Sequence, residues 1–295
     1  MDFRWSGVVK PDWLEPLDAY GWAAVSRNLL PLLACLCVAP LLASRNALTP
    51  WLLSPAIGLF IYRITVVMHD CTHRTLFRHR GLNGATGLVL GAVSGIDFKS
   101  FCRQHWKHHE SYGCVGDPQG FQYAELRLMT SGQLLRHIAK PLLGVNLREV
   151  AGESILSPRN IARMFRTGQF AIVVPVQLAI LIAVTGAGRH PMLAALPALS
   201  SATFGLFFSQ LRGIAEHGAV DLDAERTVRS HRGSWLDRLF LYDVNFNYHA
   251  EHHLHPQIPS CHLPAAHRAL STPRVSRSMF ETLVAVFDRK RSLHV

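Results

Sequence analysis

The histidines are the residues of this sequence whose spacing most clearly indicates chemistry. There are 17 of them, and most fall into three short clusters. The clusters are His69-Asp-Cys-Thr-His73, His105-Trp-Lys-His108-His109 and His249-Ala-Glu-His252-His253. Side chains three and four positions apart share one face of a helix, so each cluster predicts imidazoles that converge as the ligands of a metal would. A further histidine, His217, directly follows the last long apolar segment.

The number of these histidines restricts the kind of metal site. A structural zinc takes four ligands in a tetrahedron, whereas this chain offers nine. The nine are His69, His73, His105, His108, His109, His217, His249, His252 and His253. They fit two metals with four or five nitrogen ligands each. Imidazole binds zinc, copper, iron and nickel alike, so ligand type alone leaves the metal open. Two neighbouring redox metals would suit the activation of dioxygen.

Three carboxylates and one thiol adjoin these histidines in the sequence. Asp70, Glu216 and Glu251 would point to other faces of their helices, so we expect them to orient ligands or to form ion pairs. Cys71 also points away and is excluded as a ligand. The remaining histidines lack the spacing and are interpreted as surface or supporting residues: His79, His137, His190, His231, His255, His262, His267 and His294.

The elements that must position these side chains are apolar. Of all residues 49% are hydrophobic and 17% charged, whereas a soluble domain usually has about 25% charged residues. A bilayer needs about 20 apolar residues for each spanning helix. Segments 28–43, 49–68, 169–187 and 192–211 are the predicted spans. The glycine-rich stretch 82–96 predicts a helix that packs inside the protein or lies at the interface.

These segments predict an all-α integral membrane protein with about four transmembrane helices. Residues 1–295 form a single domain, in which a cytosolic helical cap, 97–168 and 212–295, holds a histidine-rich dimetal site. Lys and Arg concentrate in 96–167, which places this segment and both termini in the cytoplasm. All histidine groups then meet on one side of the membrane. Interfacial helices are expected at Trp13–Trp22 and Met279–Phe287, although the second could equally be an ordinary packed helix.

The charge and the cysteines restrict partners and location. The chain has a net charge of +10, which in some proteins indicates nucleic-acid binding. Here the basic residues lie between apolar runs without forming a dense stripe, so nucleic acid is excluded and membrane lipid is expected. The six cysteines form no CxxC, which favours reduced thiols facing the cytosol. We expect an integral protein of a bacterial inner membrane.

These motifs resemble those of the membrane fatty-acid-desaturase family, which also contains hydroxylases, acetylenases and carotenoid ketolases. His69–His73 is similar to the first histidine box of the family and His105–His109 to the second. Asn247–Pro256 is similar to the third, including the flanking Asn and Pro, and Arg212–His217 is similar to the extra histidine segment after the last span. The resemblance covers about Met68–Pro259.

The resemblance implies a cone of four spans, a cytosolic cap with two iron ions and a substrate tunnel beneath them. It also implies that dioxygen and two electrons remove hydrogen from an unactivated C–H bond of an acyl chain or another apolar substrate. Loss of a second hydrogen gives an alkene, whereas addition of oxygen gives an alcohol. Some members of the family have an Asn four residues before the isolated histidine to hold a metal-bound water, but here that residue is Gly213.

The electrons must come from an external donor, because the chain has no HPGG-like haem motif and no GxGxxG after a strand. A soluble donor of the ferredoxin, rubredoxin or cytochrome b5 type is expected, and an acidic one would suit the positive charge. The candidate docking residues are Lys99, Arg103, Lys107, Arg229 and Arg232. A solvated face or a face towards lipid headgroups explains the same residues equally well.

Two other readings of the histidines are open. Within the family, the chain could be a hydroxylase or ketolase of a lipid, terpenoid or small molecule. Outside it, a histidine-rich metal transporter, a receptor or a zinc membrane hydrolase is possible. A transporter should place ionisable residues near the middle of the bilayer, whereas Arg63 is the only charged residue within a predicted span and Gln177 is uncharged. A zinc hydrolase would need fewer histidines and a reactive carboxylate or hydroxyl.

Overall fold

Long apolar helices dominate the molecule. In this computed structural model, which describes residues 9–218, 227–270, 274–275 and 277–292, three helices are long and apolar enough to cross a bilayer: Pro11–Ala43, Thr49–His73 and Pro191–His217. A fourth span results if Pro158–Thr167 and Phe170–Thr185, which meet at 120°, count as one. The fold is all-α, as the sequence predicted.

Fifteen α-helices lie in the described part of the chain. They are α1 (Asp18–Ala43), α2 (Ser54–His73), α3 (Arg80–Ser94), α4 (Phe98–Ser111), α5 (Gly120–Tyr123), α6 (Ser131–Ala139), α7 (Leu147–Val150), α8 (Pro158–Thr167), α9 (Phe170–Thr185), α10 (Leu196–Ser200), α11 (Leu206–His217), α12 (Trp235–Phe240), α13 (His249–Leu254), α14 (Leu263–Leu270) and α15 (Met279–Ser292). The two-residue strands β1 (Ser230–His231) and β2 (Arg274–Val275) pair in parallel.

Apolar side chains on the outside of α1 and α9 indicate where lipid would lie. Leu41 of α1 is 68% exposed and Ile182 of α9 is 58% exposed. The opposite face of α1 is buried, with Leu32 and Leu36 in the core. A large apolar surface on a folded chain is unfavourable in water but not in hydrocarbon. This distribution is typical of a helix between protein and lipid.

The first span begins earlier than the sequence predicted. Helix α1 runs without interruption from Asp18 to Ala43, so the predicted start at Asn28 and the separate interfacial helix at Trp13–Trp22 were wrong. The predicted apolar segment began at Asn28, directly after Arg27. In the structure both lie within α1 and bond to the carboxylate of Asp243, which allows the helix to continue through them.

A buried charge network connects two spans to the cap. The guanidinium of Arg63, on α2, donates to Oδ2 of Asp243 at 2.9 Å and to Oδ1 of Asn28 at 2.6 Å. Arg27 donates to the other Asp243 oxygen at 2.5 Å. Burial acts to raise the pKa of Asp243, but Arg27, Arg63 and Asn28 hold it below its ordinary value. Arg63 is therefore a structural cation with a specific partner.

The last two spans also differ in their bounds from the predicted segments. Helix α9 has 16 residues, about 24 Å at 1.5 Å per residue, and the chain turns sharply into it at Gly168, which has a φ of +68°. The final span passes through a π-helical segment, Ser201–Gly205, and continues to His217. It therefore carries His217 on its own last turn.

Two smaller predictions concern helices beside the spans. The glycine-rich stretch forms α3, which packs against α2 and α9. A Cβ on Gly58 of α2 would lie 2.6 Å from the carbonyl oxygen of Ser200, so glycine here permits α2 to approach the last span closely. Helix α15 buries Met279, Leu283 and Val286 and packs against α11 and α12. For α15 the ordinary packed helix is therefore the correct alternative.

Candidate metal centre

Four elements bring the clustered histidines together. His69 and His73 lie on the last turns of α2, and His217 ends α11. Helix α4 carries His105, His108 and His109, and the short helix α13 carries His249, His252 and His253. Their nitrogen atoms form two groups, each within 4.8 Å. One, the five-histidine group, is His69, His73, His105, His109 and His252; the other, the four-histidine group, is His108, His217, His249 and His253.

The rings of the five-histidine group point their Nε2 atoms at each other. Nε2 of His105 lies 2.8 Å from that of His73 and 2.9 Å from that of His109. Nε2 of His252 lies 3.2 Å from that of His109. Nitrogen ligands at right angles around a metal at about 2.1 Å would be about 3 Å apart. The spacing therefore fits ligands of one ion.

The four-histidine group has the same kind of geometry. Nε2 of His249 lies 2.9 Å from that of His217 and 3.1 Å from that of His253. The ring of His108 is 4.9 Å from that of His217 between centroids. The two groups are neighbours, because the rings of His108 and His109, on adjacent residues, are only 6.0 Å apart.

Helix geometry explains why one cluster contributes to both groups. A residue turns by 100° about an α-helix, so positions i and i+4 differ by about 40°, whereas adjacent positions differ by about 100°. His105 and His109 accordingly join one group while His108 joins the other. In α13, His249 and His253 join the four-histidine group and His252 the five-histidine group.

The residues present fit metal ions on their own chemistry. Nε2 of His69 and Nε2 of His108 are buried without any hydrogen-bond partner among the described residues, a costly arrangement unless something binds them. Burial, followed by the proximity of other imidazoles, lowers the pKa of His105, His249, His252 and His253 well below the ordinary value. Neutral imidazoles have the lone pair that a metal needs.

A carboxylate that the sequence did not indicate orients His108. Oδ1 of Asp117 lies 2.9 Å from Nδ1 of His108, which fixes a proton on Nδ1 and leaves Nε2 free. Tyr123 donates its hydroxyl proton to Oδ2 of Asp117, and the backbone amide of Gln119 donates to Oδ1 at 2.9 Å. Burial would raise the pKa of Asp117, but these bonds hold it low. Asp117 follows the second cluster by eight residues, and nothing in that spacing marks it.

The three carboxylates singled out from the sequence have different surroundings. Asp70 accepts a hydrogen bond from Ser260 at 2.5 Å, which connects α2 to the chain after α13. Glu251 lies 2.5 Å from Nδ1 of His267 and accepts from Ser230. Both therefore stabilise the segments that carry ligand candidates. Glu216 instead faces the four-histidine group, since its Oε2 lies 3.4 Å from Nε2 of His249.

The glycine at position 213 has a specific neighbour. A Cβ there would lie 2.4 Å from Oε1 of Gln122, so the Gln122 side chain already fills the space beside the backbone. The amide nitrogen of Gln122 donates to Ser209 at 3.1 Å. Gln122 and Gly213 line the same cavity as His108. The amide group of Gln122 thus occupies the space that the side chain of an Asn at position 213 would take.

A cavity of about 450 Å³ reaches both histidine groups. Its lining includes His69 and His105 from the five-histidine group and His108 and His249 from the four-histidine group. Most of the remaining wall is apolar, with Ile61, Val66, Phe101 and Leu206 among its residues. A cavity of this size and lining fits part of a lipid chain.

The other histidines have structural contacts. His79 caps α3 by accepting from the Leu82 amide. His137 and His231 are buried, so of the two predicted roles, surface or supporting, the supporting one applies to them. Their Nε2 atoms lie 2.8 Å and 3.1 Å from the carbonyl oxygens of Gln122 and Ala215. His294 lies outside the described residues.

Comparisons with known proteins agree with this site. Residues 46–278 match the model of the fatty acid desaturase family. The sphingolipid delta(4)-desaturase/C4-monooxygenase of Bos taurus is 29% identical over 265 residues, which are 85% of this chain and 74% of that protein. The protein of the same name from Rattus norvegicus is 26% identical over 269 residues, with the same shares.

With these comparisons, the chain is a membrane oxidoreductase that acts on a lipid. The chain belongs to the fatty acid desaturase family. The resemblance noted from the histidine boxes is thereby confirmed, as is the prediction of an enzyme.

Proposed function

We propose that this enzyme uses dioxygen and two electrons to desaturate the chain of a lipid, with two iron ions held by the nine clustered histidines. One observation carries the proposal. Two adjacent sets of converging imidazole nitrogens border a single, mostly apolar cavity. Imidazole ligands suit iron, and a mostly apolar cavity suits an unreactive hydrocarbon.

The reaction balances with one dioxygen. A –CH2–CH2– unit, dioxygen, two electrons and two protons give –CH=CH– and two waters. When bound, the irons would supply the reduction of dioxygen and the removal of hydrogen from the substrate. The chain itself positions the reacting carbons within the cavity and excludes water from it. Asp117 keeps His108 in the tautomer with a free Nε2.

Hydroxylation is the second candidate, and the comparisons supply a reason for it. The two relatives are named both as desaturase and as C4-monooxygenase. Insertion of oxygen uses the same inputs and gives C–OH and one water. Small differences in the position of the substrate carbons would select between the two products. The relatives also suggest a sphingolipid-like substrate for this chain.

The electron donor we propose is a small acidic carrier that docks on α4. Lys99, Arg103 and Lys107 are exposed along one face of this helix. Trp106 lies among them, 44% exposed, with its ring 4.8 Å from that of His73. Of the other predicted docking residues, Arg229 donates to two backbone carbonyls and Arg232 pairs with Glu281 at 3.0 Å. Arg229 and Arg232 are held by these partners, and on α4 Arg103 donates to Ser100 at 2.7 Å. Lys99 and Lys107 remain exposed beside Trp106, so α4 is the better docking face.

The expected orientation follows from the same surface. The basic residues of α4 and of segment 96–167 favour the cytoplasmic side, so we propose that the metal centre and both termini face the cytoplasm of a bacterial inner membrane. A reducing compartment would also supply the electron carrier. Labelling of single cysteines introduced near each end, in intact and opened cells, tests this orientation.

Metal analysis of protein purified without oxygen tests the centre. We expect about two irons for each chain, and a Mössbauer spectrum with nitrogen-rich ferrous sites. A single zinc per chain would overturn the proposal and favour a hydrolase or transporter. Product analysis then separates the two reactions: a loss of two hydrogens indicates desaturation, whereas a gain of one oxygen indicates hydroxylation.

A further inference from the structure

One wall of the cavity is built from two short extended segments. Ile96 and Ser154 form an antiparallel bridge. The Ile155 amide donates to the carbonyl oxygen of Gly95 at 3.1 Å, and the Asp97 amide donates to that of Glu153 at 2.6 Å. These bonds hold residues 94–97 beside residues 153–155. Ser94 and Glu153 are both among the residues that line the cavity from this wall.

Both side chains lack partners within the described part of the chain. The Ser94 residue is 5% exposed, and its Oγ is buried without a hydrogen bond. The Glu153 residue is partly buried, and neither a hydrogen bond nor the charge of another described residue contributes to the pKa of its carboxyl. Burial raises the pKa of Glu153 to about 7. A buried polar group without a partner costs about 1–3 kcal/mol, and the Ser94 hydroxyl is such a group. The unpartnered carboxyl of Glu153 stands beside it in the same cavity wall, so the two together indicate a place for a polar ligand group.

The charges of the cavity restrict that ligand. Its charged side chains, among the residues that line it, are Arg212, Glu216 and Glu153. Arg212 donates to Glu216 at 2.7 Å, so the cation is already neutralised. Nothing in the described wall compensates a second negative charge beside Glu153. A carboxylate or phosphate head group would therefore be repelled there, whereas hydroxyl and amide protons would find acceptors.

We propose that Ser94 and Glu153 form a subsite for the uncharged head group of the substrate lipid, one that carries hydroxyl and amide protons. This inference rests on the proposed function, since it assumes that the cavity holds the lipid to be oxidised. The Glu153 carboxylate accepts hydrogen bonds from the head group, and the Ser94 hydroxyl donates or accepts one. The apolar part of the cavity then places the chain beside the histidines.

Binding measurements on the iron-loaded protein in nanodiscs at pH 8, above the pKa of about 7 of Glu153, test the subsite with an ionised carboxylate and without requiring turnover. The probes are a long-chain amide-diol lipid, a free fatty acid and a fatty-acid methyl ester with equal chains. We expect the wild type to bind the amide-diol most tightly. Glu153→Gln should weaken amide-diol binding about 10-fold, because a charged acceptor is replaced by a neutral one. Ser94→Ala should weaken it less, and neither should change methyl ester binding.

Two further variants sharpen the result. Glu149→Gln is the matched control, because Glu149 is near in sequence but pairs with Arg148 outside the cavity lining; its binding should equal wild type. Glu153→Lys should bind the free fatty acid better than wild type does. Unchanged amide-diol affinity in Glu153→Gln would overturn the subsite, and so would an equal loss for the methyl ester. Iron content separates the two proposals. If the protein holds two irons and Glu153→Gln binds the amide-diol as wild type does, only the subsite is wrong. If neither the wild type nor any variant holds iron, the proposed function is wrong.

Discussion

Oε2 of Glu216 lies 3.4 Å from Nε2 of His249, while the other oxygen of Glu216 accepts a hydrogen bond from Arg212 at 2.7 Å. The carboxylate therefore borders the four-histidine group, which has one imidazole fewer than its neighbour. We predict that Glu216→Ala lowers the iron affinity of this group by roughly 10–100-fold. Iron titration followed by Mössbauer spectroscopy would measure it. If Glu216→Ala lowered iron binding only at the five-histidine group, this prediction would be wrong.

Single histidine variants should separate the two groups. His108→Ala removes a ligand candidate of the four-histidine group, and His252→Ala removes one of the five-histidine group. We expect each to abolish turnover and to lower iron content while the helices stay inserted, as judged by circular dichroism and membrane fractionation. His190→Ala is the control, because His190 contacts Ser44 and precedes the last span at the end opposite His217. Full activity in either ligand variant would count against the assignment.

The Asp243 network predicts a large effect on stability. Asp243→Ala leaves the buried Arg63 guanidinium without its carboxylate, and removal of one partner of a buried ion pair typically costs about 3–5 kcal/mol. Denaturation in mild detergent would measure the loss. Glu15→Gln breaks an exposed pair with Arg78 at 3.8 Å and should change stability little.

The same carboxylate gives a pH dependence with a definite sign. Because the folded pKa of Asp243 is below the ordinary value of 3.8, its stabilisation is complete above that value and is lost as the pH falls through the lower folded pKa. Glu153 has the opposite effect on the pH dependence of stability. Its folded pKa of about 7, against 4.5, means that stability falls as the pH rises from about 4.5 to 7. Glu153→Gln should remove this component from the melting temperature profile, and an unchanged profile would contradict the assignment.

Electron delivery should depend on the exposed face of α4. Lys107→Glu reverses a charge beside Trp106, so we expect slower reduction by an acidic carrier at low ionic strength and little difference at high salt. Trp106→Leu should slow reduction at every salt concentration, since it removes the aromatic ring in contact with His73 and His109. Stopped-flow reduction of the iron would distinguish them. Arg232→Glu is the control variant. Arg232 pairs with Glu281 away from α4, so this change should leave the rate of reduction the same.

Sequence periodicity predicted the convergence of the nine histidines well, because metal-ligand spacing on a helix is a local property. It did not predict how they divide, which requires the relative positions of α2, α4, α11 and α13. Asp117 was missed for the same reason, since its contact with His108 depends on a turn between α4 and α5.

The spans show the other limit of sequence reasoning. Hydropathy located four apolar segments, but the first was begun only at Asn28 and the second contained Arg63 as a polar interruption. The partner of both residues, Asp243, lies about 180 residues or more away. Long-range pairing cannot be seen in a hydropathy profile. The hydropathy profile also did not show that α9 has only 16 residues and follows a sharp bend at Gly168. Helix α8, before the bend, is amphipathic and polar on average, so the profile does not mark it as part of a span.

Because α4 and α13 each supply residues to both histidine groups, neither group can be repositioned on its own. A one-residue insertion between His105 and His108 would rotate the later rings by about 100° and disturb both groups at once. The pitch of α4 and α13 would therefore set the separation of the two proposed ions. Substitutions in the apolar wall of the cavity or on the exposed face of α4 would leave that separation unchanged.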